Sequence, residues 1–364
     1  MTQFYSLKKI KKEKAVYNVI IGERSNGKTY AVLLEGLKTY IEGGGQLAYV
    51  RRWKEDIIGK RASGIFNAIN ENGEVEKLTN GEYTGVYYYS GKFYLCNYEN
   101  GKVVYSDEQC LGYVFALSDN EHNKSVSYSK IETIIFDEFL TNQLYLQDEF
   151  VLFMNTVSTI VRQRTNVVIY MLGNTVNKFC PYFQEMGLNH VFKMKQGSID
   201  VYKYGDSKLT VAVEYCASTQ SKKENNFYFA FDNPKLEMIT GGAWELNIYP
   251  HAPIKFKPKD IQFIYFIMFN DNIYQCEIVS IKDVTFTFIH IKTTEIQNEN
   301  KDLIYTLDYV PKMNYNRNIY KPINKLQKRV LWYFETDRVY FQNNEVGDSI
   351  SNYLKICKRG VKKW

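Results

Sequence analysis

Apolar residues come in short bursts separated by glycine and polar turns, and the bursts alternate in type along the first half of the chain. Val16-Tyr17-Asn18-Val19-Ile20-Ile21 is a β-prone run that ends in Gly22. A helical segment starts near Gly27, runs towards Ile41 and is stopped by Gly43-Gly44-Gly45. Gln46-Leu47-Ala48-Tyr49-Val50 is the next strand. A β-α-β opening predicts a parallel sheet with right-handed crossovers. Between residues 83 and 118 the pattern changes to the short β-prone runs 86–89, 93–95, 103–105 and 113–116. Ser90-Gly91 and Asn100-Gly101 separate the first three as hairpin turns, so an antiparallel excursion is expected within the sheet. Ile131–Phe136 and Val167–Met171 read as buried strands, and residues 148–164 between them as a helix.

Polar, linker-like sequence follows at 217–226, and an irregular stretch with Pro234, Gly241, Gly242, Pro250 and Pro253 runs to about residue 256. Strands return at 263–269, 274–279 and 284–291, with Asp271-Asn272 as a hairpin connection, and helices are expected near 322–334 and 346–357. The organisation predicted is an α/β domain over 1–215, a linker region over 216–256 and a smaller α+β domain over 257–364. A length of 364 residues suits two domains.

Composition narrows the class. Apolar residues make up 45% of the chain and charged residues 24%, which supports packed cores and argues against disorder. No run approaches the roughly 18 apolar residues of a membrane span, and the lysine-rich start lacks the apolar region of a secretory signal. The expectation is a soluble intracellular protein without a membrane partner. None of the six cysteines forms a C-x-x-C pair, so zinc and a disulfide framework are not expected. The net charge of +6 permits a polyanionic partner. Lys8, Lys9, Lys11, Lys12 and Lys14 crowd one end, and Lys355, Lys358, Arg359, Lys362 and Lys363 the other.

The chemistry is concentrated in the first region. Gly22-Glu23-Arg24-Ser25-Asn26-Gly27-Lys28-Thr29 has the G-x-x-x-x-G-K-[ST] spacing, between a strand and a helix. Glycines let backbone N–H groups wrap a phosphate, and the helix N-terminus adds its dipole. Gly22, Asn26, Gly27 and Lys28 are therefore candidate ATP-binding residues, Thr29 a ligand of Mg²⁺, and Arg24 a second cation at the phosphates. Ile134-Ile135-Phe136 delivers Asp137 and Glu138 at a strand end: Asp137 to hold the metal and Glu138 to activate water as general base. Asn174, after Gly173 at the end of the next strand, is a candidate γ-phosphate sensor. On a helix through 164, turning about 100° per residue, Arg164 falls on the apolar stripe and Arg162 roughly 140° from its centre. Arg162 would then face away from the sheet, where a neighbouring subunit could receive it as an arginine finger. Arg51, Arg52 and Lys54 could contact nucleotide or communicate between subunits. In the second region only Asp271 and Glu277 are candidates for a metal nuclease, which needs several converging carboxylates.

These elements resemble the DNA-packaging ATPases of phi-29-like tailed phages. The resemblance rests on Gly22–Tyr30, on Tyr49-Val50-Arg51-Arg52-Trp53-Lys54, on Thr133–Phe139, on Thr156-Val157 with Arg162-Gln163-Arg164, and on Asn174-Thr175-Val176 followed by Pro181-Tyr182-Phe183. It extends to about residue 190 and is weak beyond 215. It implies an ASCE-type P-loop domain and a C-terminal domain of RNase H-like fold without a nuclease site. It also implies a homopentameric ring on the portal of a prohead, hydrolysing ATP with Mg²⁺ to drive double-stranded DNA into the shell. In that setting Glu138, Arg162 and Asn174 are catalytic, Arg162 acting in trans. The protein would work in the host cell cytoplasm, transiently attached to the prohead portal vertex, and some relatives use a packaging RNA. The competing readings are a large terminase with a live nuclease, a helicase, and a ring component in which nucleotide is only structural.

Overall fold

The computed structural model describes residues 4–119, 127–141, 144–175, 180–217 and 248–361, and the side chains of 359–361 are left aside. The described residues of Met1–Asn142 and Asp148–Glu245 form one compact unit, and those of Gln143–Gln147 and Leu246–Trp364 a second. Most of the linker expected at 216–256 lies outside the described residues, as do Lys362 and Lys363.

In the first unit, β1 (Tyr17–Gly22), α1 (Lys28–Gly43) and β2 (Gln46–Arg51) reproduce the expected opening. Gly44, with φ +73°, ends α1, and its N–H donates to the Tyr40 carbonyl. Three short helices follow that the polar pattern did not announce: α2 (Gly59–Ser63), α3 (Asn67–Glu71) and α4 (Glu74–Leu78). The antiparallel excursion is β3 (Gly85–Tyr89), β4 (Lys92–Glu99) and β5 (Lys102–Val104). Its two-residue turns, Ser90-Gly91 and Asn100-Gly101, have positive φ at both positions, which matches the twist of antiparallel strands. The run at 113–116 belongs to β6 (Cys110–Ala116), which is antiparallel to β4 but parallel to β2 and so returns the chain to the parallel sheet.

Then come β7 (Ile131–Asp137), α5 (Glu149–Val161), β8 (Val168–Asn174), α6 (Pro181–Glu185), β9 (Ile199–Lys203) and β10 (Thr210–Tyr215). The described residues form a 10-stranded sheet in the order β3-β4-β6-β2-β7-β8-β1-β10-β9, with β5 paired to β4. The stretch from β6 through β10 in that order is parallel, with antiparallel strands at either edge. β8 lies between β1 and β7, so a strand separates the glycine-rich loop from the carboxylate strand. β10 is not among the expected strands, yet it is buried beside β1 and extends that side of the sheet towards the edge strand β9. Ile20, Leu37, Leu47, Ile135 and Leu172 are at most 2% exposed in one cluster. Each such side chain contributes about 1.5–3 kcal/mol relative to an exposed one.

The helix expected over 148–164 is shorter. It ends at Val161, because Arg162 and Gln163 are left-handed, with φ of 41° and 68°. The run Thr156-Val157-Ser158-Thr159-Ile160-Val161 is poor in strong helix formers. The rotation argument that placed Arg162 opposite the apolar stripe and Arg164 on it therefore does not hold.

The second unit has β11 (Ile261–Phe269), β12 (Asn272–Ile281), β13 (Val284–Lys292), β14 (Ile304–Thr306) and β15 (Tyr315–Asn316). They are followed by α7 (Lys325–Glu335), β16 (Val339–Phe341) and α8 (Asn344–Val361). The strand order is β15-β14-β11-β12-β13-β16. β11, β12 and β13 form an antiparallel meander, and β14, β15 and β16 extend it in parallel. The first hairpin turns at Asn270-Asp271, one residue earlier than expected, both residues having positive φ. Tyr265, Ile267, Cys276, Ile278 and Ile289 pack against Val330 and Tyr333 of α7 and Ile350 and Tyr353 of α8. The mixed parallel sheet with an antiparallel insertion, followed by a smaller α+β unit, is the fold class expected. Among the described residues no helix is long and apolar enough to cross a membrane.

Candidate functional site

Four neighbouring strands, β2, β7, β8 and β1, bring their C-terminal ends to one edge of the parallel sheet. In open α/β sheets that edge is where ligands bind. Here it forms a cleft of about 300 Å³, lined by Asn26, Gly27, Lys28, Thr29, Asp137, Glu138 and Asn174 together with Ser25, Tyr30, Leu172 and Gly173. The glycine-rich loop owes its shape to two glycines. Gly27 has φ +89° and initiates α1. A Cβ at Gly22 would stand 2.9 Å from Cβ of Cys216, so a larger residue would push β1 and the chain after β10 apart.

Lys28 is 5% exposed. Its ammonium donates to the Glu23 carbonyl at 2.6 Å, Asn26 Oδ1 at 3.1 Å and Asn174 Oδ1 at 3.2 Å. Burial pulls its pKa down to about 8, against the opposing pull of Cys216, Asp137 and Glu23. All three bonded acceptors are neutral oxygens, so the charge is held in place without being cancelled by a salt bridge. A polyphosphate would supply the missing negative charge, and the residues present fit one.

The Thr29 hydroxyl lies 3.2 and 3.3 Å from the two carboxylate oxygens of Asp137. The buried Tyr49 hydroxyl donates to Asp137 Oδ2 at 2.7 Å and holds that carboxylate in place. One hydroxyl and one carboxylate make a sparse donor set. It suits Mg²⁺, which keeps waters and takes phosphate oxygens as its other ligands. Among the described residues there is no cluster of three or more His, Cys, Asp or Glu that would form a protein-only metal cage.

Glu138 follows in the left-handed region, φ +58°, a conformation that costs a non-glycine residue of order 1 kcal/mol or more. Several contacts hold it. Its N–H donates to Asp137 Oδ1 at 3.0 Å, and the next N–H, of Phe139, donates to the Leu172 carbonyl at 3.1 Å. The Arg52 guanidinium donates to the carbonyls of Glu138, at 3.2 Å, and Phe139, at 2.7 Å. The Glu138 carboxylate is ion-paired with Arg51, which also approaches Asp137 at 3.9 Å.

Arg52 does not line the cleft. It is buried in a bidentate pair with Glu149, at 2.7 and 2.9 Å, and the fully buried Tyr182 donates to the same carboxylate at 2.9 Å. The trio ties the end of β2 to the loop after β7, the start of α5 and α6. Glu149 and Tyr182 were not singled out in the sequence for this role. Their signal was Pro181-Tyr182-Phe183, whose tyrosine is a fixed part of the site's frame. Lys54, by contrast, sits outside on Asp119 at 2.6 Å.

Two other arginines lie outside the cleft lining. Arg24 is exposed on the loop, and Arg162 is exposed at the far end of α5. Arg164 has a structural post. Its guanidinium donates to the carbonyls of Ile131, Tyr128, Ile160 and Val161 at 2.7–3.3 Å, closing the end of α5 and tying it to β7. In the second unit Asp271 occupies a hairpin turn, and Glu277 bonds Gln275 at 2.7 Å and His290 at 3.3 Å.

The family model of the podovirus DNA encapsidation protein (Gp16) matches residues 1–224. The DNA packaging protein of Bacillus phage B103 is 31% identical over 176 residues, 48% of this chain and 48% of that protein. That of Bacillus phage phi29 is 28% identical over 183 residues, 50% of this chain and 49% of that protein. The chain thus spans about half the length of the curated relatives it matches. Among solved structures, the Phi-28 gp11 DNA packaging motor aligns over 98% of this chain and 99% of its own, with TM-score 0.60 and 18% identity. The phi29 genome packaging motor assembly aligns over 97% and 99%, with TM-score 0.57 and 21% identity. At these identities the likeness is one of fold.

Proposed function

The chain belongs to the podovirus DNA encapsidation protein family, and from that membership we propose that it is an ATP hydrolase that drives double-stranded DNA into a phage prohead. The observation that carries the reading is the convergence of Lys28, Thr29, Asp137, Glu138 and Asn174 on one cleft at the sheet's C-terminal edge.

In this reading the loop Gly22–Thr29, including Asn26 and Gly27, wraps the phosphates with its backbone N–H groups, and Arg24 adds charge at the rim. Lys28 binds the β- and γ-phosphates. Thr29 and Asp137 would hold Mg²⁺, which neutralises charge on the phosphate oxygens when bound. Glu138 accepts the proton of the attacking water, after exchanging its Arg51 partner for that water. Asn174, already bonded to Lys28, reads the presence of the γ-phosphate. Arg162, remote from its own subunit's cleft, serves the neighbour's cleft as an arginine finger. Loss of the γ-phosphate removes its attraction for Arg162, and the interface between subunits relaxes.

The assembly proposed is a homopentameric ring on the prohead portal vertex, in the host cell cytoplasm. Basic side chains facing the channel would grip DNA phosphates without reading sequence, so affinity should fall steeply with salt. The second unit's antiparallel meander extended by parallel strands supports an RNase H-like fold. Asp271 in its hairpin turn and Glu277 bonded to Gln275 and His290 support a role there without cutting.

The test is complementation. Glu138→Gln and Arg162→Ala chains are assayed alone and mixed, on proheads with DNA. The proposal expects both to be inactive alone and turnover to reappear in the mixture, where one chain supplies Glu138 and the other Arg162. An Arg162→Ala chain as active as wild type would remove the trans finger.

A further inference from the structure

We propose that Glu23 sets nucleotide affinity: its carboxylate, buried and unpaired inside the glycine-rich loop, opposes bound phosphate and helps product to leave. This rests on the nucleotide reading above and adds to it a residue outside the fixed positions of the loop motif.

The first argument is burial without a partner. Glu23 follows Gly22 at the end of β1 and is 4% exposed. Glutamate is almost never so buried unless it is paired. Glu149 shows the usual solution in the same unit, a buried carboxylate in a bidentate pair with Arg52. Glu23 has no such solution. Both of its carboxylate oxygens are shut off from solvent, and among the described residues neither has a hydrogen-bond partner.

The second argument is that the loop's own donors are committed elsewhere. The Lys28 ammonium turns to the backbone carbonyl of Glu23, at 2.6 Å, and to Asn26 and Asn174. Asn26 spends its Oδ1 on Lys28, accepting from the N–H at 3.2 Å and from the ammonium at 3.1 Å. Its Nδ2 is buried without a partner as well. An amide turned the other way would set one donor against two others, so Asn26 cannot serve Glu23 without giving up Lys28.

The third argument is electrostatic. Burial pulls the Lys28 pKa down to about 8, and Cys216, Asp137 and Glu23 oppose that pull, so the Glu23 charge is felt at the ammonium. A phosphate bound to Lys28 enters the same field with the sign of Glu23. Inside a protein, away from salt, like charges repel over several ångströms. Glu23 thus favours the protonated Lys28 while the loop is empty and weakens phosphate binding once the loop is filled. A site that must empty in every cycle of hydrolysis gains from that repulsion.

The experiment measures binding of ATP and of ADP, both with Mg²⁺, to the full chain by calorimetry. Release of a fluorescent N-methylanthraniloyl ADP is followed by stopped flow. Glu23→Gln removes the charge at nearly constant shape, and Glu23→Asp keeps it. The Gln variant should bind ATP and ADP about tenfold more tightly and release the fluorescent ADP more slowly. Its urea midpoint should rise, because an unpaired buried carboxylate is gone. The Asp variant should stay within about threefold of wild type in both affinities. Unchanged or weaker nucleotide binding by Glu23→Gln would overturn the proposal, as would a lower urea midpoint. A Glu23→Asp chain that binds as tightly as Glu23→Gln would overturn it too, since charge would not be the cause. If neither wild type nor Glu23→Gln binds ATP or ADP, the nucleotide reading itself fails, and the proposal with it.

Discussion

The two sheets of this chain use polar residues in opposite ways. In the first unit the strands that matter are parallel, so their C-terminal ends lie side by side and each delivers its last residues to the same place. Gly22, Arg51, Asp137 and Asn174 all come from such ends. In the second unit β11, β12 and β13 run antiparallel, so successive strand ends fall on opposite edges. Two of its polar pairs reach across strands instead. Glu277 faces His290 on β13, and Tyr265 bonds Thr287 at 3.1 Å. Strand direction thus decides whether polar residues gather into a site or are used up in holding a sheet together.

The sharpest break in that comparison is chemical. Glu138→Gln should lower ATP turnover by about 10²–10⁴-fold, the usual contribution of a general base, while binding persists. Phosphate release and nucleotide titration check the two halves. Arg52→Ala tests the frame behind the site. It leaves the buried Glu149 carboxylate uncompensated, and the expected loss is about 3–5 kcal/mol, read from urea unfolding. Arg164→Ala frees several helix-end carbonyls at once and should cost about 1–3 kcal/mol. Arg162→Ala, exposed, should leave stability within about 0.5 kcal/mol.

Lys28 gives a pH signature. Its folded pKa of about 8 lies below the usual lysine value, so between pH 8 and 10.5 the unfolded chain holds a proton that the folded chain has lost. Stability of the unliganded protein therefore gains from this group as pH rises through that window. ATP affinity moves the other way. It falls above pH 8 as the ammonium is lost from the free protein, and in that range, where phosphate restores the charge, binding takes up a proton. Titration calorimetry in two buffers measures that uptake. In the second sheet the effect should fall on stability alone. Glu277→Gln should cost about 1 kcal/mol and leave turnover unchanged, because that carboxylate serves its neighbours on β12 and β13.

The parallel sheet and the convergence of most of the candidate site were legible because the signals are local. A glycine spacing between a strand and a helix, an apolar strand ending in Asp137-Glu138 and a turn at Asn174 each speak within a few residues. The second sheet's hairpins were also legible, apart from a one-residue shift to Asn270-Asp271. What escaped depends on distant partners. Arg52 reads like any arginine after a strand, and only the fold brings Glu149 and Tyr182 to it. The early end of α5 escaped because no glycine or proline marks it. Arg162 and Gln163 take left-handed conformations there, and Arg164 secures the helix end through contacts with residues 128 and 131. The seat of Tyr5 beside the glycine-rich loop, its N–H on the Asn26 carbonyl, escaped because its hydroxyl is anchored by Glu214, from the other end of the unit.

The most direct test of the central claim is phosphate release from ATP by the full chain on proheads, with and without double-stranded DNA. The account predicts hydrolysis that rises when DNA is added and vanishes in Glu138→Gln. A chain that binds ATP but releases no phosphate, with or without DNA, would contradict it.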